Sequence, residues 1–378
     1  MKKLLLLILP ILSYGSNIDK IIYNGEENSQ EISLSSNLRE GNKLDIKDID
    51  LLVDNFKFVS SNDMKVNIEP SNKKDYVNVV VNNKKKNPFK LSFGIDNYGN
   101  SVEDGKYRYT LETGLSGLIL NENINLSYTF VTPKNPKRLD NIPDLKPGEI
   151  ANIEIKKDLR KARKNNNLNI ELSFPIKRVK SYLTYSYSDY KKSIVGNNDI
   201  YDVSGKSHRV EVKEKVEVYR NKKQKANLIG KYSYIKRESY LEDVKINTDK
   251  IHNVGLGLEY TDDKLEIKSI LENKIQDKKY TPSLETKMKL HTNFTKKLGM
   301  GLEVNNRLEE KNNKLEFITK ANYDILYTEI GLKVLNKEVS PLLKLGLKKD
   351  LDFMYFDTAL KYEKELKFLF NIKVNLVK

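Results

Sequence analysis

The chain has 378 residues, 31% of them charged, a formal net charge of +15, and neither cysteine nor tryptophan. Without cysteine there is no disulfide framework and no thiolate metal site. A mean hydropathy of −0.60 with no long apolar run excludes membrane-spanning helices, and the lysines are scattered rather than clustered, which argues against a nucleic-acid partner.

The first element is a leader. Lys2 and Lys3 precede an apolar run from Leu4 to Leu12, and Ser13-Tyr14-Gly15 offers small residues for cleavage. A basic start, a short apolar stretch and a small-residue exit predict a signal peptide over 1–15, too short to span a bilayer.

Residues 16–84 predict a small α+β domain. A strand over Ile18–Tyr23 ends at the turn Asn24-Gly25. Asp45 is placed to cap a helix carrying Ile46, Ile49, Leu52, Val53 and Phe56 at helical spacing. Strands over Met64–Ile68 and Val77–Val81 follow, and Asn82 to Pro88 reads as a linker.

Residues 85–378 change character. Sixteen segments, from 89–96 to 366–376, alternate apolar and polar residues and are separated by Asn, Asp, Gly and Lys. In the last, Phe368, Phe370, Ile372, Val374 and Leu376 share one face, and Asn371, Lys373 and Asn375 the other. Repeated so often, with no helical pattern between, this predicts an all-β fold: a sixteen-stranded antiparallel transmembrane barrel in the outer membrane, greasy outside and wet inside. Phe89, Leu91, Phe93, Ile95, Leu343, Leu345 and Leu347 are assigned to lipid, and Ser92, Lys344 and Lys348 to the lumen. With 22 tyrosines and no tryptophan, an interfacial girdle must be built from Tyr and Phe. Glu214 breaks an outward phase of Val210, Val212, Val216 and Val218, which predicts a bulge or a place near the rim. The longest connection, Val131 to Asn165, holds four prolines and a basic tract from Lys156 to Lys164, and reads as a solvated extracellular loop.

Gly41 to Ser61, with Leu44, Asp48 and Ile49, resembles the periplasmic POTRA domain of two-partner secretion transporters of the haemolysin-activator type. Gly94-Ile95-Asp96-Asn97-Tyr98-Gly99, Tyr185 to Tyr190, Gly205 to His208 and Ser239 to Val244 resemble further stretches of that family, in its order. The resemblance implies outer-membrane translocation of a secreted exoprotein, haemolysin- or haemagglutinin-like, without ATP. It implies a POTRA docking surface drawn from Ile46, Ile49, Val53, Phe56, Val66 and Ile68, with Glu329 standing where the family has a lumenal acid. Outer-membrane lipid and, during biogenesis, the barrel assembly machinery are the other implied partners, and the chain is expected to be a monomer. The chain departs from the family where it has room for one POTRA domain and no plug helix, and where Arg307 to Lys314 lacks the family's Val-Arg-Gly-(Tyr/Phe) lumenal loop. Those departures leave a second reading: a passive pore derived from the family.

No enzyme is legible. His208, His252 and His291 lie on separate segments without metal-ligand spacing, and no phosphate loop or nucleophile elbow occurs, so neither metal nor cofactor is expected.

Overall fold

The computed structural model describes residues 16–377 apart from 28–29, 98–106, 119–120, 133–161, 196–199, 296–297, 311–312, 337, 352 and 364–365. The leader and most of the long basic connection lie outside the described residues.

The first unit is a four-stranded sheet with two helices. Its elements are β1 (Asn17–Tyr23), β2 (Glu26–Glu27), α1 (Gln30–Ser35), α2 (Ile46–Phe56), β3 (Asn62–Pro70) and β4 (Tyr76–Lys85). The sheet order is β2-β1-β4-β3, with β1 parallel to β4. A parallel pair needs a long crossover, and the two helices supply it. Alternate residues of β1 and β4 (Ile18, Val77, Val79, Val81) pack with Leu44, Leu52 and Phe56 into the core. Asp45 caps α2 as expected, its carboxylate accepting from the Lys47 amide at 2.8 Å.

The buried face of α2 differs from the sequence expectation. It comprises Leu51, Leu52, Asn55 and Phe56, while Ile46 is 40% exposed. The reason is a second neighbour. The side-chain amide of Asn55 donates to Ser35 O and to Lys177 O, both at 2.8 Å, so the helix is held on α1 and on a barrel turn as well as on its own sheet. Helix α1 carries no sequence signal strong enough to find it, being six residues long. Strand β4 runs on to Lys85, which shortens the linker to 86–88.

Sixteen strands then close on themselves. In order, β5 to β12 are Phe89–Asp96, Tyr107–Ser116, Asn123–Thr132, Ala162–Ile176, Val179–Val195, Ile200–Arg220, Lys225–Leu241 and Val244–Thr261. β13 to β20 are Leu265–Gln276, Lys279–Asn293, Leu298–Glu309, Lys314–Tyr323, Leu326–Leu335, Glu338–Asp350, Met354–Tyr362 and Leu366–Val377. Each pairs antiparallel with its neighbours, and β20 closes on β5 through Ile372–Ile95 and Val374–Phe93. Closure leaves no edge, and in lipid every backbone N–H and C=O needs a partner within the protein.

The outward positions are apolar and unburied: Leu256 is 71% exposed, Ile330 58% and Leu345 56%. A continuous apolar belt of this kind around a closed wall is the surface that hydrocarbon covers. The assigned lipid and lumen faces of β5 and β18 are the observed ones. Strands β9, β10 and β12 run longer than the alternation predicts. Beyond the belt both faces of a strand meet water, so pairing continues where the period-two signal has gone.

Glu214 stays on the outer wall. The register break in β10 falls after it, between Glu217 and Tyr219, and does not change its phase. Instead the Ser181 hydroxyl, opposite on β9, donates to its carboxylate at 2.7 Å. That pairing sets Glu214 opposite the third residue of β9, beside the 177–178 turn, so of the two expectations it is the place near the rim that holds, where a lipid-facing charge costs only about 0–1 kcal/mol.

Candidate functional site

The barrel end that carries the small unit is the near end, the opposite one the far end. The barrel meets the unit at three near-end places: at Ser116, Gly117 and Asn121, at Lys177, and at Arg220 and Lys225 on either side of the turn 221–224. Asp54 near the C-terminus of α2 receives Arg220 Nη1 at 2.8 Å and Lys225 Nζ. Arg220 is also held by Glu217, its Nε 2.6 Å from Oε1, and its side chain is only 7% exposed. Burial alone would raise the Asp54 pKa. The hydrogen bonds and charges of Lys225 and Arg220 overcome that and hold it below the usual 3.8.

Neutral contacts complete the seat. The Lys177 amide donates to Leu34 O at 2.7 Å, and Ser61 Oγ donates to Ser116 O at 3.0 Å. Asn121 accepts from Asn62 at 2.6 Å and donates to Ser35 Oγ at 3.1 Å. Gly117 has φ +65°, and a Cβ there would lie 2.8 Å from Ser61 Oγ, so the unit and the barrel approach at a position that only glycine fills without strain.

The loop after α2 brings Phe58 to the lumenal wall. Its carbonyl accepts from the Asn123 side chain at 3.0 Å, and its ring meets Tyr182 edge-on at 6.3 Å. Lys180 Nζ lies 5.5 Å from the Phe58 ring and Lys213 Nζ 4.1 Å from the Tyr182 ring. Asn123, Lys180, Tyr182 and Lys213 all occupy inward positions of their strands, so Phe58 stands in the near-end mouth.

Beyond the mouth the lumen is lined by cross-strand ion pairs. Lys215 meets Glu259 at 2.7 Å, Lys333 and Lys361 share Glu363 at 2.9 and 2.8 Å, and Lys373 meets Glu112. A recess of about 760 Å³ in the far half is lined by Arg209, Lys231, Arg237, Glu272, Lys274 and Arg307 among others. Paired charges at this density make a largely hydrated wall, interrupted by the cross-strand pair Ile235 and Ile251 in the same recess.

The sequence-derived lumen residues come together. Glu329 and Lys344 are cross-strand neighbours on β17 and β18. Lys344 lies 4.9 Å from the Tyr327 ring, Lys348 5.5 Å from the Tyr355 ring, and all of them line a second recess of about 510 Å³. The sequence-derived docking residues divide. Phe56 is wholly buried and packs on Tyr23 at 5.9 Å between ring centroids. Ile49, Val66 and Ile68 pack against the same core, Val53 is half-buried, and only Ile46 is exposed. Ile49, Phe56, Val66 and Ile68 belong to the core of the unit, whereas Ile46, the exposed face of β3 (Lys65, Asn67, Glu69) and the open edge of that strand lie outward. Sequence reasoning missed Asp54, Phe58, Arg220 and Lys225, because their meaning lies in contacts between distant segments. The histidines lie apart, His208 and His252 on the outer wall, and no group of three metal-binding side chains occurs among the described residues.

A family model, haemolysin secretion/activation protein ShlB/FhaC/HecB, matches residues 75–327. The chain belongs to this family. Its function is therefore the translocation of a secreted partner protein across the outer membrane, and the family is one of transporters, not enzymes. Among solved structures, the chain is similar to CdiB from Escherichia coli, with a TM-score of 0.80 at 11% identity over 96% of this chain and 77% of that one. CdiB from Acinetobacter baumannii gives 0.76 at 13% identity over 96% and 74%. BamA from Haemophilus ducreyi, lacking its POTRA domains 1–3, gives 0.51 at 10% identity over 96% and 85%. At these identities the likeness is one of fold. No curated protein matches the sequence.

Proposed function

We propose that the unit over residues 16–84 is a POTRA domain on the periplasmic side, which receives the unfolded partner and passes it into the barrel of residues 85–378. The single observation that carries this reading is the unit's seat. An open-edged sheet is fixed beside a barrel mouth by an ion-paired, hydrogen-bonded contact that also brings Phe58 to the lumenal wall. An open edge presents unpaired backbone groups, and an incoming extended segment adds to it as a further strand. Strand β3 is that edge, and Ile46 with the exposed side chains of β3 are the contacts that remain outside the core. The partner, haemolysin- or haemagglutinin-like, then threads the lumen past Glu329, Lys344 and Lys348. Its folding outside supplies the driving force in place of ATP. The chain acts as a monomer, inserted by the barrel assembly machinery, and residues 1–15 are the leader that brings it there.

The native chain has no cysteine, so single cysteines report without background. Lys65→Cys on β3 and Lys344→Cys in the lumen, each with a photo-crosslinker in secreting cells, are expected to trap the same exported protein. Continued secretion with no adduct at either position overturns the path.

The passive-pore reading is favoured by one observation, the short connection 310–313 between β15 and β16, which has no length to fold back and fill the lumen. Conductance separates the two readings.

A further inference from the structure

The outer wall is chemically uneven. Across β9 to β12 the register aligns Leu183, Val212, Tyr232 and Val254 in one outward row. The next outward row toward the far end is Tyr185, Val210, Tyr234 and His252, and the one after it Tyr187, His208, Lys236 and Lys250. The wall thus passes from aliphatic to aromatic to basic over three rows, the order in which a bilayer passes from hydrocarbon to headgroup.

One side-chain arrangement occurs twice at that boundary. The Tyr185 hydroxyl lies 3.0 Å from His208 Nδ1, with the Tyr187 ring 4.9 Å from the imidazole. The Tyr232 hydroxyl lies 3.0 Å from His252 Nδ1, with the Tyr234 ring at 5.1 Å. Where the hydroxyl donates to Nδ1, the ring carries its proton on Nε2, which leaves an N–H donor for a ligand. Beside the histidines, Lys236 contacts Glu238 at 2.9 Å and Lys250 is exposed. The other walls lack this grading. The outward rows of β13 to β20 and β5 to β7 end in residues such as Leu308, Val339 and Phe368. Among the described residues their far halves hold no outward lysine or arginine.

We propose that the outer face of β9 to β12 binds the phosphorylated headgroup of a lipid in the far leaflet. Lys236 and Lys250 contact the phosphate with Tyr187 in the same row, the two histidines donate from Nε2, and Tyr185, Tyr232 and Tyr234 pack at the acyl boundary below. Long lysine stems reach from an apolar wall to a headgroup at low cost, and charge-assisted hydrogen bonds to phosphate are among the stronger polar contacts. The inference rests on the barrel's place in the membrane and is independent of the secretory path.

The test is native mass spectrometry of the full chain in zwitterionic micelles, counting adducts of phosphorylated lipid A against its dephosphorylated form. The wild-type chain is expected to retain the phosphorylated form preferentially. K236Q/K250Q is expected to lose that retention about tenfold, the equivalent of one decade in Kd, while still migrating as a folded barrel. K236R/K250R keeps the retention, and K349Q, an outward lysine at the near end, leaves it unchanged. Equal retention of both lipid forms, no change in K236Q/K250Q, or displacement by millimolar inorganic phosphate, the mark of a soluble-anion site, would each overturn the proposal.

Discussion

Asp54 shows how one carboxylate fixes a large body. It lies near the end of an eleven-residue helix, yet its partners Arg220 and Lys225 bracket a turn of the barrel. Asp54→Ala leaves Arg220 with Glu217 alone and Lys225 without its partner. We expect the contact to weaken by about 1 kcal/mol, since the buried Arg220 keeps Glu217 and the half-exposed Lys225 is taken up by water, seen as faster hydrogen exchange at Lys177 and through α2. The pH dependence follows from a depressed pKa. The ionised carboxylate is favoured in the docked state, so its contribution is complete above the ordinary value of 3.8 and is lost as pH falls through the lower docked value. Wild type and variant should therefore differ at neutral pH and converge once the pH has fallen below the depressed docked value. A gap that persisted in acid would remove Asp54 from the contact. Nothing in the sequence marks this residue, because a helical aspartate facing water and one facing an arginine far along the chain look alike.

Turns and helices carry the next level. The turn after β6 must reach the unit without a side chain in the way, and Gly117 at φ +65° allows it. Gly117→Ala is expected to cost about 1–2 kcal/mol in backbone strain and to press on Ser61, whose hydroxyl bonds Ser116 O. Protease cleavage at the 86–88 linker should speed up, while the heat-modifiable migration of the barrel stays unchanged. Barrel loss instead would mean that the turn matters to strand pairing rather than to the seat. Helix α2 carries the matching lesson about legibility. Its existence and its Asp45 cap were readable, because both depend on neighbours within a few residues. Its buried face was readable only in part: Leu52 and Phe56 are buried as the spacing places them, but Asn55 is turned inward by carbonyls on α1 and on the barrel, and pattern alone would place it in water.

For the whole molecule, the question is what stands in the passage. The connection 310–313 is too short to fill a sixteen-stranded barrel, and at the near end Phe58, Tyr182 and Lys213 stack along the wall. Planar-bilayer recordings should show a mostly closed channel for the full chain. Removing residues 16–87 should give larger and steadier openings, with a smaller shift in the same direction for Phe58→Ala. A large conductance that ignores both changes would favour the passive pore. Strand number, closure and the two faces of the wall follow from a period of two, since each strand's alternation is decided by the water or lipid on either side of it. The chain alone therefore determined the barrel and its outer-membrane address. Tertiary structure alone decided how the small unit is seated, which side chain stands in the mouth, and which wall gathers the outward lysines. Those depend on register and on contacts between segments far apart in the chain, and local periodicity records neither.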